Sequence, residues 1–202
     1  MAEHSRYSVS DKAAGISKGI LINKLGIKTQ KDLDDTESLL FTDTYKYFFE
    51  LLKDNKIEFS RALLFSIHEY LFCSLYSWAG KIRTVNISKG DMLFAPVEYI
   101  DNSLKEFAKL LKTELSQKFK NKNDISKTLA LIHNEFNVIH LFREGNGRTI
   151  RLFLDLFASN AGYNPIDWSK NSKSAYLKAC VAGAVKKHVP MARIIKQGLT
   201  KI

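Results

Sequence analysis

Apolar residues recur at three- and four-residue spacing along most of the chain, and that rhythm predicts helices. Residues 31 to 53 place Leu33, Leu39, Leu40, Tyr45, Phe48, Phe49 and Leu52 at such intervals. An apolar-rich helix begins at Phe59, carries Leu63, Leu64, Ile67 and Leu71, and is ended by Gly80. Asp101 caps a run of Leu104, Phe107, Leu110, Leu111, Leu115 and Phe119, and Asp124 caps one of Leu129, Leu131, Ile132, Phe136 and Ile139. Ile150 to Ala158 continues the pattern and stops near Gly162 and Pro165. Ser174 to Ala184 and Pro190 to Gly198 supply two closing helices, and a short segment over 12 to 26 opens the bundle. The rhythm changes once. Thr84-Val85-Asn86-Ile87-Ser88 alternates, Lys89-Gly90-Asp91 reads as a tight turn, and Met92-Leu93-Phe94-Ala95-Pro96 follows, which predicts a hairpin. The fold expected is all-α, a helical bundle with one β-hairpin.

At 202 residues with 45% hydrophobic content, a single domain over 1–202 is expected, large enough to bury a core. No apolar run nears the length of a membrane span and the first residues are polar, so no transmembrane helix, signal peptide or membrane partner is expected. Cys73 and Cys180 both read as buried and lie far apart in sequence without metal spacing, which fits a reducing cytoplasm. The formal charge of +10 is uneven, because no Asp or Glu follows Asp167. A basic tail of that kind draws acidic surfaces or nucleic acid. No nucleic-acid motif accompanies it, so a solvated face or a dock for an acidic partner is the better reading.

The chemistry concentrates in one run, His140-Leu141-Phe142-Arg143-Glu144-Gly145-Asn146-Gly147-Arg148-Thr149-Ile150-Arg151. It falls at the junction of two helices, so the backbone N–H groups of Gly145 to Gly147 belong to the start of the second. Such a start has unpaired donors and the positive end of a dipole, which suits an anion, and the Asn146 side chain can add a donor. Arg148 and Arg151, three apart, share a helix face and offer donor forks to phosphate oxygens. Glu144 is a hard oxygen ligand suited to Mg²⁺ beside phosphates. His140 has the pKa range to take a proton from an attacking hydroxyl. Any one of these is more often structural. Eight specified positions at about 1 in 20 each would recur by chance on the order of once in ten billion windows, so the run as a whole is functional.

The run resembles the Fic signature, HxFx(D/E)GNGRxxR, at every specified position, and residues 78 to 99 resemble the Trp-Ala-Gly-Lys-x-Arg stretch and flap of the same family. The resemblance is strong over about 59–168 and loose elsewhere. It implies a Fic-type helical bundle and transfer of AMP from Mg²⁺-bound ATP to a Tyr, Thr or Ser hydroxyl of a target protein, releasing pyrophosphate. It implies that His140 is the base, that Glu144 holds Mg²⁺, that Gly145, Asn146 and Gly147 form the anion hole, and that Arg148 and Arg151 hold ATP phosphates. Phe142 would anchor the loop in the core. Thr84, Val85, Asn86, Ile87, Met92, Leu93 and Phe94 would form the flap, pairing with an extended target segment by main-chain bonds. Leu141 departs from the usual Pro, which alters loop stiffness. Doc-type relatives that phosphorylate carry Lys where this chain has Gly147, which favours nucleotidyl transfer.

The resemblance also implies a means of restraint. Many Fic proteins carry an inhibitory (S/T)xxxE helix whose Glu pairs with the second signature arginine. None of the ten glutamates here has Ser or Thr four residues earlier. A separate small acidic antitoxin reaching Arg151 is therefore expected, or an unrestrained enzyme. Alternatives on the same residues are phosphotransfer or use of another nucleotide and, from a different class, a non-enzymatic nucleic-acid-binding protein. Tyr163 to Trp168 serve equally as an adenine edge or as core anchors. His68 and His133 read as packed helix residues, and His4 as terminal. A cytoplasmic location is expected, with secretion as an effector left open.

Overall fold

The computed structural model describes residues 8–9, 15–17, 19–89 and 92–202. Three short strands open the described chain, β1 (Ser8–Val9), β2 (Ile16–Ser17) and β3 (Ile20–Leu21). Helices α1 (Gln30–Lys53) and α2 (Arg61–Phe72) follow, then the hairpin of β4 (Ile87–Lys89) and β5 (Met92–Leu93). Five further helices complete the order: α3 (Ile100–Leu115), α4 (Lys122–Ile139), α5 (Asn146–Asn160), α6 (Lys173–Ala184) and α7 (Val189–Gly198). The expected helical architecture with a hairpin holds, and its helix ends are set by local chemistry. The Thr29 hydroxyl accepts from the Asp32 N–H to start α1. The Asn121 side chain, rather than Asp124, accepts from the Asn123 and Asp124 N–H groups to start α4. Asp101 sits in the first turn of α3 and makes no cap there.

Two other boundaries move. Helix α2 stops at Phe72, and the chain reaches Gly80 through turns in which Leu75 and Tyr76 N–H groups both bond the Phe72 carbonyl. The opening segment over 12 to 26 contains no helix among its described residues; β2 and β3 pair there as an antiparallel hairpin. Gly15 and Gly19 both have positive φ, the backbone such tight reversals require. The β4–β5 hairpin also gains a third strand, β1, in the order β1-β4-β5.

Helix α4 is the axis of the bundle, packed by α3, α5, α6 and α7. It buries residues around most of its circumference, from Ile125, Leu129, Ile132 and Phe136 to His133. Helix α5 buries Leu152, Phe153, Leu154, Leu156 and Phe157 in succession, so it too is enclosed. Each such side chain contributes about 1.5–3 kcal/mol on burial, which fixes the α4–α5 junction rigidly between two buried helices. No helix among the described residues is long and apolar enough to cross a membrane. Cys180 is buried as expected, whereas Cys73 is exposed at the end of α2.

Candidate active site

Helix α4 ends on His140, which adopts a left-handed conformation with φ 49° and ψ 57°. Glycine is the usual occupant of that position, and a larger residue there costs about 1–2 kcal/mol. The turn swings the imidazole off the helix line onto the Phe94 ring, stacked at 3.6 Å between centroids. The ring is buried, and Nδ1 lies 3.0 Å from the Asn137 carbonyl. A carbonyl only accepts, so Nδ1 carries the proton and Nε2 carries the lone pair. Burial pushes the imidazole pKa down to about 3, with the nearby Arg83 and Lys89 charges acting the same way against the Asn137 hydrogen bond. The histidine is therefore neutral at physiological pH, with its basic nitrogen already chosen.

The loop after His140 is held from several sides. Phe142 is fully buried and lies parallel to the His68 ring at 3.7 Å. His68 Nε2 donates to the Glu144 carbonyl at 3.0 Å while its Nδ1 accepts from the Gly80 N–H at 2.9 Å. His68 is thus buried as expected, but it also splints the loop to α2. The Asn146 side chain turns inward, accepting from the Phe142 N–H at 2.9 Å and donating to the Phe142 carbonyl at 2.7 Å. The expected side-chain donation to an anion is replaced by a loop staple, which leaves the backbone N–H groups at the start of α5 for that role. Gly145 takes φ 78° as the N-cap of α5, and a Cβ there would lie 2.2 Å from the Phe72 ring.

Glu144 is buried, and its Oε1 accepts from the Gly145 N–H at 2.9 Å. Arg148 Nη2 lies 3.7 Å from the same oxygen and 2.8 Å from Oε2 of Glu37 on α1. The Tyr76 hydroxyl donates to the other Glu37 oxygen at 2.6 Å. The guanidinium also lies over the Phe72 ring at 4.9 Å. Arg151 faces another neighbour, the Tyr176 ring of α6, at 5.6 Å. Gly147, Arg148 and Arg151 remain half-buried while the residues between His140 and Asn146 are buried, so the basic side chains stand at the open lip of the junction.

Among the described residues no group of three or more His, Cys, Asp or Glu side chains could hold a metal ion. A single buried carboxylate beside a basic lip fits Mg²⁺, which keeps waters and takes its other oxygens from phosphates.

The hairpin is rooted beside His140 by Arg83. Its Nε donates to the His140 carbonyl at 2.8 Å, Nη1 to the Val85 carbonyl at 2.8 Å, and Nη2 to the carbonyls of Ala95 and, at 3.4 Å, Ile139. The Arg83 N–H bonds the Leu141 carbonyl at 3.0 Å. Both legs of the flap and the end of α4 therefore meet on one buried guanidinium. Burial lowers its pKa to about 10, which leaves it charged at neutral pH. The ladder begins at Ile87, not Thr84, because the legs below are held by side chains: Arg83 takes the Val85 carbonyl, and Asn86 Oδ1 accepts from the Val97 N–H at 3.0 Å. Ile87 and Phe94 are buried together with Val85 against them, whereas Leu93 is 82% exposed. The turn at Gly90 and Asp91 lies outside the described residues, as does His4.

Arg83, Glu37, Tyr76 and the splinting role of His68 were not legible as site features. Only the fixed run Trp78-Ala79-Gly80-Lys81-Ile82-Arg83 pointed toward any of them. Tyr163 is buried and Trp168 Nε1 donates to Asp155 at 3.0 Å, so these aromatics are anchored in the core. His133 is buried, bonded to the Tyr176 hydroxyl at 2.7 Å.

Residues 58–158 match the Fic/DOC family. Protein adenylyltransferase VbhT of Bartonella schoenbuchensis is 33% identical over 91% of this chain, which spans 38% of that relative. The probable protein adenylyltransferase y4lH of Sinorhizobium fredii is 31% identical over 95% of this chain and 98% of its own length. Among solved structures, the N-terminal Fic domain of a Bep effector from Bartonella quintana with bound ADP superimposes with a TM-score of 0.74. It is 25% identical and covers 90% of this chain and 91% of its own. Identity above 30% along nearly the whole of a relative of this size, joined to a family match across the site just described, makes the chain a member of the Fic/DOC family.

Proposed function

We propose that the chain is a protein adenylyltransferase that moves AMP from ATP to a Tyr, Thr or Ser hydroxyl of another protein. The observation that carries this is His140: neutral, with its proton fixed on Nδ1 by the Asn137 carbonyl, at the junction that also holds the buried Glu144 and the basic lip of α5. Nε2 of His140 accepts the proton of the target hydroxyl as its oxygen bonds to the α-phosphorus. The bond from that phosphorus to the β-bridging oxygen breaks, and pyrophosphate leaves. Backbone N–H groups of Asn146 and Gly147 and the guanidinium groups of Arg148 and Arg151 take up the charge on the phosphates. Glu144 would hold Mg²⁺, which would supply further neutralisation of phosphate charge. The flap holds the target by main-chain pairing, so the modified hydroxyl is chosen largely by backbone position. The relatives' names support nucleotidyl transfer over phosphotransfer, and the ADP-bound neighbour supports nucleotide binding at this fold.

Restraint by a separate acidic partner belongs to the same reading. Arg151 is half-buried with its guanidinium on Tyr176, where a carboxylate can reach it. Co-expression with an adjacent reading frame tests this; a protein harmless when expressed alone removes the need for one. For the activity itself, the protein is incubated with α-labelled ATP, Mg²⁺ and whole-cell lysate, beside His140→Ala. Label on discrete protein bands that vanishes with His140→Ala is expected. Label only from γ-labelled ATP, or none, overturns AMP transfer.

A further inference from the structure

One side of the flap is already paired. Strand β4 pairs on one side with β5 (Ser88 opposite Leu93, Lys89 opposite Met92) and on the other with β1 of the chain's own N-terminal segment (Ser8 opposite Ser88, Val9 opposite Ile87). One transverse row therefore runs Val9, Ile87, Phe94, since the Phe94 N–H bonds the Ile87 carbonyl, and Phe94 stacks on His140. An extended segment already lies in the row that ends on the base. Antiparallel pairing needs only backbone groups, so the edge that accepts Ser8–Val9 has what any extended segment requires. Among the described residues the pairing joins Ser8 to Ser88 and Val9 to Ile87.

We infer that the Ser8–Val9 segment is a built-in occupant of the target edge: it lies on β4 where an extended target segment binds, and the target must displace it. This rests on the reading of the hairpin as a target-holding flap. It supplies a restraint on target access separate from any carboxylate at Arg151, in a chain whose glutamates carry no (S/T)xxxE pattern. Counting only the pairing of Ser8 and Val9, one or two backbone hydrogen bonds hold the occupant, and apparent target affinity falls with the fraction of time the edge is covered. That corresponds to about 3- to 10-fold.

The test uses the full chain with Ser8→Pro and Val9→Pro together, since proline has no N–H to give to a ladder. Hydrogen exchange is followed in peptides covering Ile87–Lys89, and α-label transfer is followed across a dilution series of lysate. Expected are faster exchange in β4 and half-maximal labelling at about 3- to 10-fold lower lysate concentration, with the plateau unchanged. A synthetic peptide of residues 1–14 should reverse the shift in the variant, and a scrambled peptide should not. Unchanged half-saturation, or a lower plateau showing that β1 merely supports the flap, overturns the proposal. Ser88→Pro, checked by thermal unfolding, separates the two readings. If it leaves labelling intact, the flap reading falls. If it abolishes labelling while the N-terminal prolines change nothing, only the occupancy is wrong. Should wild type transfer no label at all, the exchange arm still decides whether β1 covers β4.

Discussion

Replacing Arg83 by Ala should be among the most damaging changes to this protein, although Arg83 lies outside the His140 run. Its side chain is 3% exposed and donates to four carbonyls, two of them at 2.8 Å. A hydrogen bond from a charged donor contributes about 1.5–3 kcal/mol, and carbonyls left buried without one cost a similar amount. Counting only the two bonds at 2.8 Å, and allowing water to reach the Val85 end, the loss is roughly 3–4 kcal/mol of stability. The functional loss should exceed what partial unfolding explains. The His140 carbonyl and both flap legs lose their common anchor, and a displacement of about 1 Å at a reacting group costs on the order of 100-fold in rate. Thermal unfolding gives the first quantity. Labelling by α-labelled ATP, measured well below the variant's melting temperature and divided by the folded fraction, gives the second. Arg83→Lys should recover part of the stability but little of the rate, because an ammonium cannot span the His140, Val85 and Ala95 carbonyls as the guanidinium fork does. A folded Arg83→Ala protein with wild-type labelling per folded molecule would refute the reasoning.

Gly145→Ala should cost about 3 kcal/mol or more and abolish labelling, since strain at φ 78° adds to a Cβ 2.2 Å from the Phe72 ring. Adding Phe72→Leu should restore part of the stability; no recovery would show that the ring is not the obstacle. Glu37→Ala should destabilise by about 3–5 kcal/mol by leaving the Arg148 charge without its 2.8 Å partner. It should also weaken ATP binding, measured by titration calorimetry, and tighter binding would instead mark Glu37 as a competitor of phosphate. Burial holds His68, His133 and His140 at about 3, 4 and 3, below their unfolded value. Between pH 6.5 and roughly 4.5 the unfolded chain binds three protons there that the native state does not. Asp155, which burial raises to about 7, binds one proton in the native state that the unfolded chain lacks. The net difference of two protons means stability falls with acidification by on the order of 3 kcal/mol per pH unit. A melting temperature flat from pH 7 to 5 would exclude this. Labelling per folded molecule should meanwhile show no inflection near pH 6.5, because His140 stays neutral throughout.

The parts of this molecule legible in the sequence are those whose signal is local. Helical periodicity located α1 and α3 to α7 because each buries a stripe or a whole circumference against its neighbours. The signature run was legible because its members are consecutive, and the helix junction around it followed from the two apolar patterns on either side. The failures fall where a contact forms only once the loop has closed, or where the deciding partner is remote in sequence. Asn146 was expected to face an anion, and its bonding to Phe142 becomes visible only once the loop has closed on itself. The end of α2 was placed at Gly80 because turns from Phe72 onward carry no local stop signal. Glu37 precedes Arg148 by more than a hundred residues, and a glutamate on an amphipathic helix ordinarily faces solvent, so nothing local marks it as buried.

Arg83 carries the point furthest. An arginine beside Thr84 and Lys81 reads as surface, yet the fold places it at the junction of α4 and the flap, where four carbonyls point inward. That junction is obligatory. A helix terminated by a left-handed His140 exposes its last carbonyls, and a hairpin whose ladder begins only at Ile87 leaves the carbonyls of its legs without strand partners. One guanidinium satisfies both sets and thereby couples His140 to the hairpin. In the function proposed above, the run from His140 to Arg151 supplies the chemical groups, and their placement against the hairpin depends on a residue 57 positions from His140 in sequence.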